Sequence, residues 1–112
     1  MQKKFRVKNN EDFKRLIDGR QFVVCDSFTI YFLPNDLNHS RFGISVGKKH
    51  GNAVTRNKIK RQIRMMVSEV FKYDVSIDYV IMIRKPYLQK SYAENLALMN
   101  QLAKKIMKRC KF

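Results

Sequence analysis

Long apolar runs are missing from this sequence. No stretch approaches the roughly 20 consecutive apolar residues that a membrane-spanning helix needs, and the basic amino terminus, Met1–Arg6, has no apolar stretch behind it. The pattern predicts neither a membrane span nor a signal peptide, so the expected location is the cytoplasm. A hydrophobic share of 45% is nevertheless too high for a disordered tail. We expect residues 1–112 to form a single domain around one core.

Cysteine and histidine are scarce. The two cysteines, Cys25 and Cys110, lie far apart, and neither has a neighbouring set of metal ligands. His39 and His50 have no metal-ligand spacing with either cysteine. We therefore expect free, largely buried thiols in a reducing compartment, and no metal site formed by side chains.

Acidic residues are few and scattered. Aspartate and glutamate number 9, against 24 lysines and arginines, which gives a formal net charge of +15. The carboxylates form no cluster of the kind that a two-metal nuclease needs, and no serine or cysteine comes with a matched histidine and acid. The residues predict a protein that has no catalytic residue of its own.

So large an excess of positive charge implies a polyanionic partner, because the charges repel one another in the compact state. Nucleic acid fits best, since each phosphate that is neutralised releases condensed counterions. An anionic membrane surface is the weaker alternative, because basic membrane helices are usually isolated amphipathic segments.

The first half of the chain predicts one helix and two or three strands. Asn9–Asp12 is typical of a helix start, and Gly19 marks the end of that helix. The next segment is β-branched and aromatic, with its strongest strand at Phe28–Phe32 and room for a short strand before it. A further strand, Arg41–Val46, follows a short polar connection. We expect these two strands to pair as an antiparallel hairpin.

The second half predicts two longer helices around a buried strand. Apolar residues repeat at helical spacing from about Val54 to Phe71, and again from about Ser91 onwards. Between the helices, Tyr79–Ile83 is an apolar run of strand length, which indicates a buried central strand. The predicted fold class is α+β, with the order α-β-β-α-β-α and helices packed on a sheet.

Charge of a single sign marks the helix that starts near Val54. No acidic residue occurs between Asp36 and Glu69, whereas a helix face in solvent normally mixes signs, because Glu–Lys pairs at i,i+4 stabilise it. A solvated surface is the alternative, but the pattern favours a phosphate-binding face. The basic residues of this stretch are Arg41, Lys48, Lys49, Arg56, Lys58, Lys60, Arg61 and Arg64.

Helical geometry separates these side chains from the apolar ones. At about 100° per residue, one arc carries a set of polar residues: Asn57, Lys60, Arg61 and Arg64. The arc roughly opposite carries Ile59, Ile63, Met66 and Val70. One side can therefore bury against a sheet while the other presents guanidinium groups and an amide to RNA. Lys58 points away from the polar arc.

Three aromatic residues are candidates for stacking on unpaired bases, although core packing is the commoner role. Phe28 and Tyr31 have opposite parity on one strand, so they should face opposite sides of the sheet. We expect Tyr31 to lie in an open groove and Phe28 in the core. Phe13, on the first helix, is the third candidate.

The segment Gly51–Arg64, with the sequence GNAVTRNKIKRQIR, resembles the signature of the ribonuclease P protein component. The preceding Arg41–Lys49 is similar to the strand that leads into that helix in the family. Asn10–Phe13, Phe28–Tyr31 and Asp78–Pro86 also match in kind and order. The resemblance covers nearly the whole chain.

The resemblance implies an α-β-β-α-β-α sandwich with a central, mostly antiparallel sheet and a left-handed β-α-β crossover, which is a ribosomal protein S5 domain 2-like fold. It also implies the protein subunit of an endoribonuclease that removes the 5′ leader of precursor tRNA. The partners that the resemblance implies are ribonuclease P RNA and precursor tRNA, with no membrane and no obligate protein partner. The RNA subunit is then expected to be the catalyst and to bind most of the Mg²⁺.

The resemblance assigns two groups of site residues. Those expected against the catalytic RNA and the cleavage region are Lys49, Arg56, Asn57, Lys58, Lys60, Arg61 and Arg64. Those expected to line a cleft for the single-stranded leader are Phe13, Ile17, Tyr31, Ser45 and Lys48. Two alternatives stay open from the residues alone. One is a structural RNA-binding protein of the ribosomal type, and the other is a stand-alone nuclease, against which the missing carboxylate cluster argues.

Overall fold

The computed structural model describes residues 2–110, which form a four-stranded sheet with three long helices. The elements are α1 (Asn10–Asp18), β1 (Phe22–Val24), β2 (Phe28–Pro34), β3 (Arg41–Ser45), α2 (Ala53–Val70), β4 (Ile77–Ile83) and α3 (Tyr92–Cys110). Short 3-10 turns occur at Lys3–Phe5, Lys48–His50 and Lys85–Gln89. Among residues 2–110, no helix is both long enough and apolar enough to cross a membrane.

The strand order in the sheet is β1-β2-β4-β3. β2 pairs antiparallel with both β1 and β4, and β3 pairs parallel with β4. The sheet is therefore mostly antiparallel, and β4 is central, as the apolar run predicted. The parallel neighbours β3 and β4 are joined by a crossover through α2. The left-handedness of this crossover stays a prediction.

The predicted antiparallel hairpin of β2 and β3 is wrong, because β4 lies between these strands. Their polar connection is held against the chain that leads into β4: Asn35 N–H donates to the Ser76 carbonyl and Ser40 N–H to the Tyr73 carbonyl, both at 2.9 Å. The mostly apolar β4 buries both faces and so takes the central place. The connection therefore passes the end of β4 instead of closing a hairpin.

The two faces of the sheet carry different helices. Phe28 is fully buried in the main core beneath α2 and α3, together with Ile63 and Met99. Tyr31 lies on the opposite face, in a smaller cluster beneath α1 that includes Leu16. The prediction from strand parity, that Phe28 is core and Tyr31 faces the other side, is confirmed.

Polar side chains cap the starts of the helices. The Asn9 side chain accepts from Asp12 N–H at 2.8 Å at the start of α1, and Asn52 accepts from Thr55 N–H at 2.9 Å at the start of α2. At α3, Ser91 and Glu94 exchange side chain–backbone hydrogen bonds as a capping box.

The two cysteines, Cys25 and Cys110, are free, but they are only partly buried where the sequence suggested largely buried thiols.

Candidate nucleic-acid interface

The exposed side of α2 is rich in basic residues. The buried side of the helix consists of Ile59, Ile63, Met66 and Val67, with Val70 partly covered. On the other side, Asn57 and Arg61 are exposed, and Lys60 and Arg64 are half-buried. The predicted division of α2 into an apolar arc and a polar arc is therefore observed.

The cations of α2 have no carboxylate partner among residues 2–110. Within the part of the chain that the structure describes, the ion pairs join Arg15 and Arg41 to Asp12 and Asp78, and none of them involves α2. No described carboxylate therefore neutralises the basic side chains of the helix. Like charges one turn apart repel each other, so this arrangement lowers the stability of the free protein.

The remaining predicted members of this surface lie at or near the start of α2. Arg56 is half-buried in the first turn, and its Nε has no hydrogen-bond partner among the described residues. Lys58 is exposed on the flank of the helix. Lys48 and Lys49 are exposed in the 3-10 turn that joins β3 to α2. The turn also contains His50, which is buried; burial and the nearby charge of Lys49 lower its pKa, so this histidine is neutral at pH 7.

The α1 face of the sheet has an open floor beside the helix. Strand register aligns residues of all four strands in two rows that cross the sheet. The inner row, closer to α1, is Gly43, Val80, Tyr31 and Phe22. The outer row is Ser45, Met82, Thr29 and Val24. No residue of the outer row is buried, so the sheet is accessible along this line, which we call the groove.

Side chains of α1 and β2 form one wall of the groove. The ring of Phe13 lies over Gly43 and is only half-buried, and Ile17, one turn further along α1, is 37% exposed. Tyr31 and Ser45 are half-buried on the same face. The structure therefore brings these four predicted cleft residues to one side of the sheet, with Lys48 following at the carboxyl end of β3.

Gly43 provides the space for the Phe13 ring. A Cβ atom at position 43 would lie 2.6 Å from Cζ of Phe13, well inside contact distance. We expect Gly43→Ala to lower the free energy of unfolding by about 1–3 kcal/mol, because the ring must move. Denaturant unfolding of Gly43→Ala, Phe13→Leu and the double variant Gly43→Ala/Phe13→Leu measures the coupling. An equal loss in both backgrounds would contradict the steric cause.

A small cavity links the groove wall to α2. It has a volume of about 140 Å³ and lies between the amino-terminal segment, α1, β3 and α2. Phe13 and Gly43 line it on one side, and Lys60 and Arg64 line it on the other. The basic surface of α2 and the groove are therefore neighbouring parts of one continuous surface.

A buried charge cluster fixes α1 to the sheet. Asp78, fully buried on β4, accepts two hydrogen bonds from Arg41 (2.9 and 2.6 Å), one from Arg15 (3.0 Å) and one from Asn35 (2.8 Å). Asp12 lies 3.4 Å from Arg41. Burial alone would raise the pKa of Asp78, but the hydrogen bonds of Arg41 and Asn35 and the charges of Arg41 and Arg15 hold it below its usual value.

This cluster corrects one expectation. Arg41 was counted in the stretch of single-signed charge, yet Asp78 and Asp12 neutralise it. Their separations in sequence, 37 and 29 residues, gave no local signal of the pairing. Arg41 is therefore part of the scaffold beneath the groove.

Two exposed residues of β1 were missed by the sequence analysis. Phe22 and Val24 are 42% and 45% exposed, on the α1 side of the sheet, while Val23 between them is buried on the other side. The ring of Phe22 lies 5.4 Å from that of Tyr31, centroid to centroid. If the sequence had given a register for β1, strand parity would have placed Phe22 and Val24 on the same face as Tyr31.

The described side chains do not fit a Mg²⁺ site. Among residues 2–110, no group of three or more His, Cys, Asp or Glu could hold a metal ion. The carboxylate of Asp78 is already surrounded by arginine and asparagine donors.

Comparison with known proteins gives the family. The model of the family Ribonuclease P matches residues 1–107. The chain belongs to the ribonuclease P protein component family. A ribonuclease P protein component from Mesoplasma florum is 44% identical over 110 residues, covering 96% of this chain and 100% of the relative. A component from Streptococcus gordonii is 42% identical and covers 93% of this chain and 90% of the relative.

Solved structures of ribonuclease P proteins share the fold. The Staphylococcus aureus protein has a TM-score of 0.75 at 32% identity, covering 96% of this chain and 95% of that one. The Thermotoga maritima protein also has a TM-score of 0.75, at 26% identity, covering 88% of this chain and 96% of that one. The predicted α+β fold class and the predicted family are confirmed.

As a ribonuclease P protein subunit, the chain assists the RNA subunit in processing the 5′ leader of precursor tRNA. The activity is that of the holoenzyme, an endoribonuclease that matures the 5′ end of tRNA.

Proposed function

We propose that residues 1–112 act as one RNA-binding domain with two adjoining surfaces for two RNAs. The α2 surface binds ribonuclease P RNA near the cleavage region, through Lys49, Arg56, Asn57, Lys58, Lys60, Arg61 and Arg64. The groove binds the single-stranded leader of precursor tRNA, through Phe13, Ile17, Tyr31, Ser45 and Lys48. The holoenzyme works in the cytoplasm, with no membrane and no obligate protein partner.

The α2 surface supports this proposal most strongly. Its cations have no carboxylate partner among the described residues, so they are available to pair with the phosphates of a bound polyanion. Guanidinium groups such as that of Arg61 donate paired hydrogen bonds to phosphate oxygens. Asn57 adds a donor and an acceptor, which suit a base edge or a 2′-hydroxyl.

The groove suits an unpaired strand. Phe13 and Tyr31 are half-exposed rings on which splayed bases can stack, whereas stacked bases inside a duplex would not reach them. The Ser45 hydroxyl and the Lys48 ammonium stand at the β3 end, where they can contact the backbone. Because this end adjoins α2, the leader would enter the groove next to the cleavage region.

The protein's contribution is to bind, orient and neutralise phosphate charge. We place the Mg²⁺ ions mainly on the RNA subunit, because the described carboxylates are either scattered or already paired with arginine. We assign no catalytic residue to the protein itself.

Cleavage at low Mg²⁺ tests the function directly. Adding the protein to matching ribonuclease P RNA should increase leader removal, because protein cations replace part of the metal's role in screening phosphate repulsion. The holoenzyme should also bind precursor tRNA more tightly than mature tRNA. Failure of a folded protein to stimulate the RNA would argue for a ribosomal-type role, and cleavage by RNA-free protein would argue for a stand-alone nuclease.

A further inference from the structure

β1 leaves an aromatic and an aliphatic side chain uncovered beside the groove. Phe22 pairs with Tyr31 in the strand register, and Val24 pairs with Thr29. Both β1 side chains are more than 40% exposed, although burying a large apolar side chain is worth about 1.5–3 kcal/mol. Phe22 and Val24 therefore form an exposed apolar patch at one end of a surface that carries a large positive charge.

This apolar patch lies at the β1 end of the groove, away from α2. The outer row starts at Ser45 on β3 and ends at Val24 on β1, which is three interstrand spacings, or roughly 14 Å. At the β1 end, the Phe22 ring is the next aromatic surface after Tyr31, 5.4 Å away. A strand that leaves Tyr31 and keeps its direction meets Phe22.

Two arginines contact the backbone at β1 and just beyond its end. Arg109 donates to the Phe22 carbonyl at 2.8 Å, and Arg84 donates to the Cys25 carbonyl at 2.7 Å. Each contact uses one terminal nitrogen of its guanidinium group, and both residues are exposed, so further donors point to solvent. The edge carbonyl of Phe22 is thereby occupied, which disfavours pairing with an added peptide strand. The same arginines bring positive charge close to the β1 edge of the sheet.

We propose that Phe22, supported by Val24, forms an additional base-binding position at the outer end of the groove. Its occupant is an unpaired nucleotide of the 5′ leader, further from the cleavage site than the one held by Tyr31. An aromatic ring beside exposed guanidinium groups binds a base and its phosphate together. This inference rests on the proposed role of the groove, and it makes the length of leader that the protein senses depend on β1.

Leader length is the variable that tests the proposal. Reconstituted holoenzyme is titrated with precursor tRNAs whose leaders are lengthened one nucleotide at a time. For the unchanged protein, affinity should rise with length and then level off. Phe22→Ala should leave the affinity for short leaders unchanged, level off at a shorter leader, and lower the affinity for long leaders about tenfold.

Companion variants separate the possible causes. Phe22→Leu keeps apolar volume against Tyr31 but removes the aromatic face, so it should also bind long leaders more weakly while remaining folded. Leu88→Ala is the matched control, because Leu88 is 48% exposed but lies outside the groove. Wild-type affinity of folded Phe22→Leu at every length would overturn the proposal, as would equal weakening for mature tRNA.

Tyr31→Ala distinguishes failure of this inference from failure of the groove itself. If Tyr31→Ala weakens binding of leader-bearing tRNA and Phe22→Ala does not, the groove is correct and the additional position is wrong. If neither variant weakens binding of precursor tRNA more than binding of mature tRNA, the leader does not lie in the groove, and the proposed role of the groove fails together with this inference.

Discussion

Replacing Asp78 with alanine is expected to lower the free energy of unfolding by about 3–5 kcal/mol. The carboxylate is fully buried and accepts hydrogen bonds from Arg41, Arg15 and Asn35. Without it, the Arg41 guanidinium, whose side chain is only 20% exposed, loses its main counter-charge while remaining in a poorly solvated position. Since small domains have a total stability of about 5–15 kcal/mol, the loss is a large fraction of the whole.

Denaturant unfolding measures this effect. Asp36→Ala is the matched control, because Asp36 is exposed on the neighbouring connection and should change stability by less than about 0.5 kcal/mol. A loss of that small size for Asp78→Ala would show that the cluster does not stabilise the fold. Loss of RNA binding should follow only to the extent that the variant unfolds.

The same cluster gives stability a specific pH dependence. The pKa of Asp78 is held below its ordinary value in the folded protein, so on acidification the unfolded chain takes up this proton first. Its stabilising contribution is therefore complete above about pH 4, the ordinary pKa range of aspartate, and disappears as the pH falls through the folded-state value. Asp78→Asn should lack this component of the acid unfolding curve.

The second large effect is expected on RNA affinity. The double variant Arg61→Ala/Arg64→Ala should weaken binding to ribonuclease P RNA about 30-fold at physiological salt, and should reduce the slope of log affinity against log salt by about two units. The reason is that two phosphate contacts, and the counterions that they release, are lost. Filter binding over a range of salt concentrations measures both quantities.

The double variant Lys104→Ala/Lys105→Ala provides the control. It removes the same charge from two exposed positions on α3 to which no RNA contact is assigned. The slope should then change by much less than for the α2 variant. Equal changes for both variants would mean that affinity depends on net charge alone, and the assignment of the α2 surface would be wrong.

Features that depend on neighbouring residues in the sequence were predicted correctly. The apolar period and the single-signed charge of α2 give its two arcs, and the apolar run of β4 gives its central position. Strand parity placed Phe28 in the core and Tyr31 on the opposite face. The roles of the site residues came from the family resemblance and not from these local patterns.

Contacts between distant parts of the chain were not predictable in this way. A short polar connection between two strand-like segments favours a hairpin, and nothing near it shows that a strand from the second half separates them. The pairing of Arg41 with Asp78 was hidden for the same reason. Phe22 was missed because β1 has only three residues, Phe22–Val24, too few for a clear alternation.

The position of β4 has a consequence for how the protein is made. β4 is the last of the four strands in the chain, yet it separates β2 from β3. While the nascent chain is shorter than residue 77, the edges of β2 and β3 that β4 will cover have no partner, although α2 is already complete. Such long-range pairing slows folding and depends on late-synthesised residues. During translation, the basic helix therefore emerges from the ribosome before the groove has a floor.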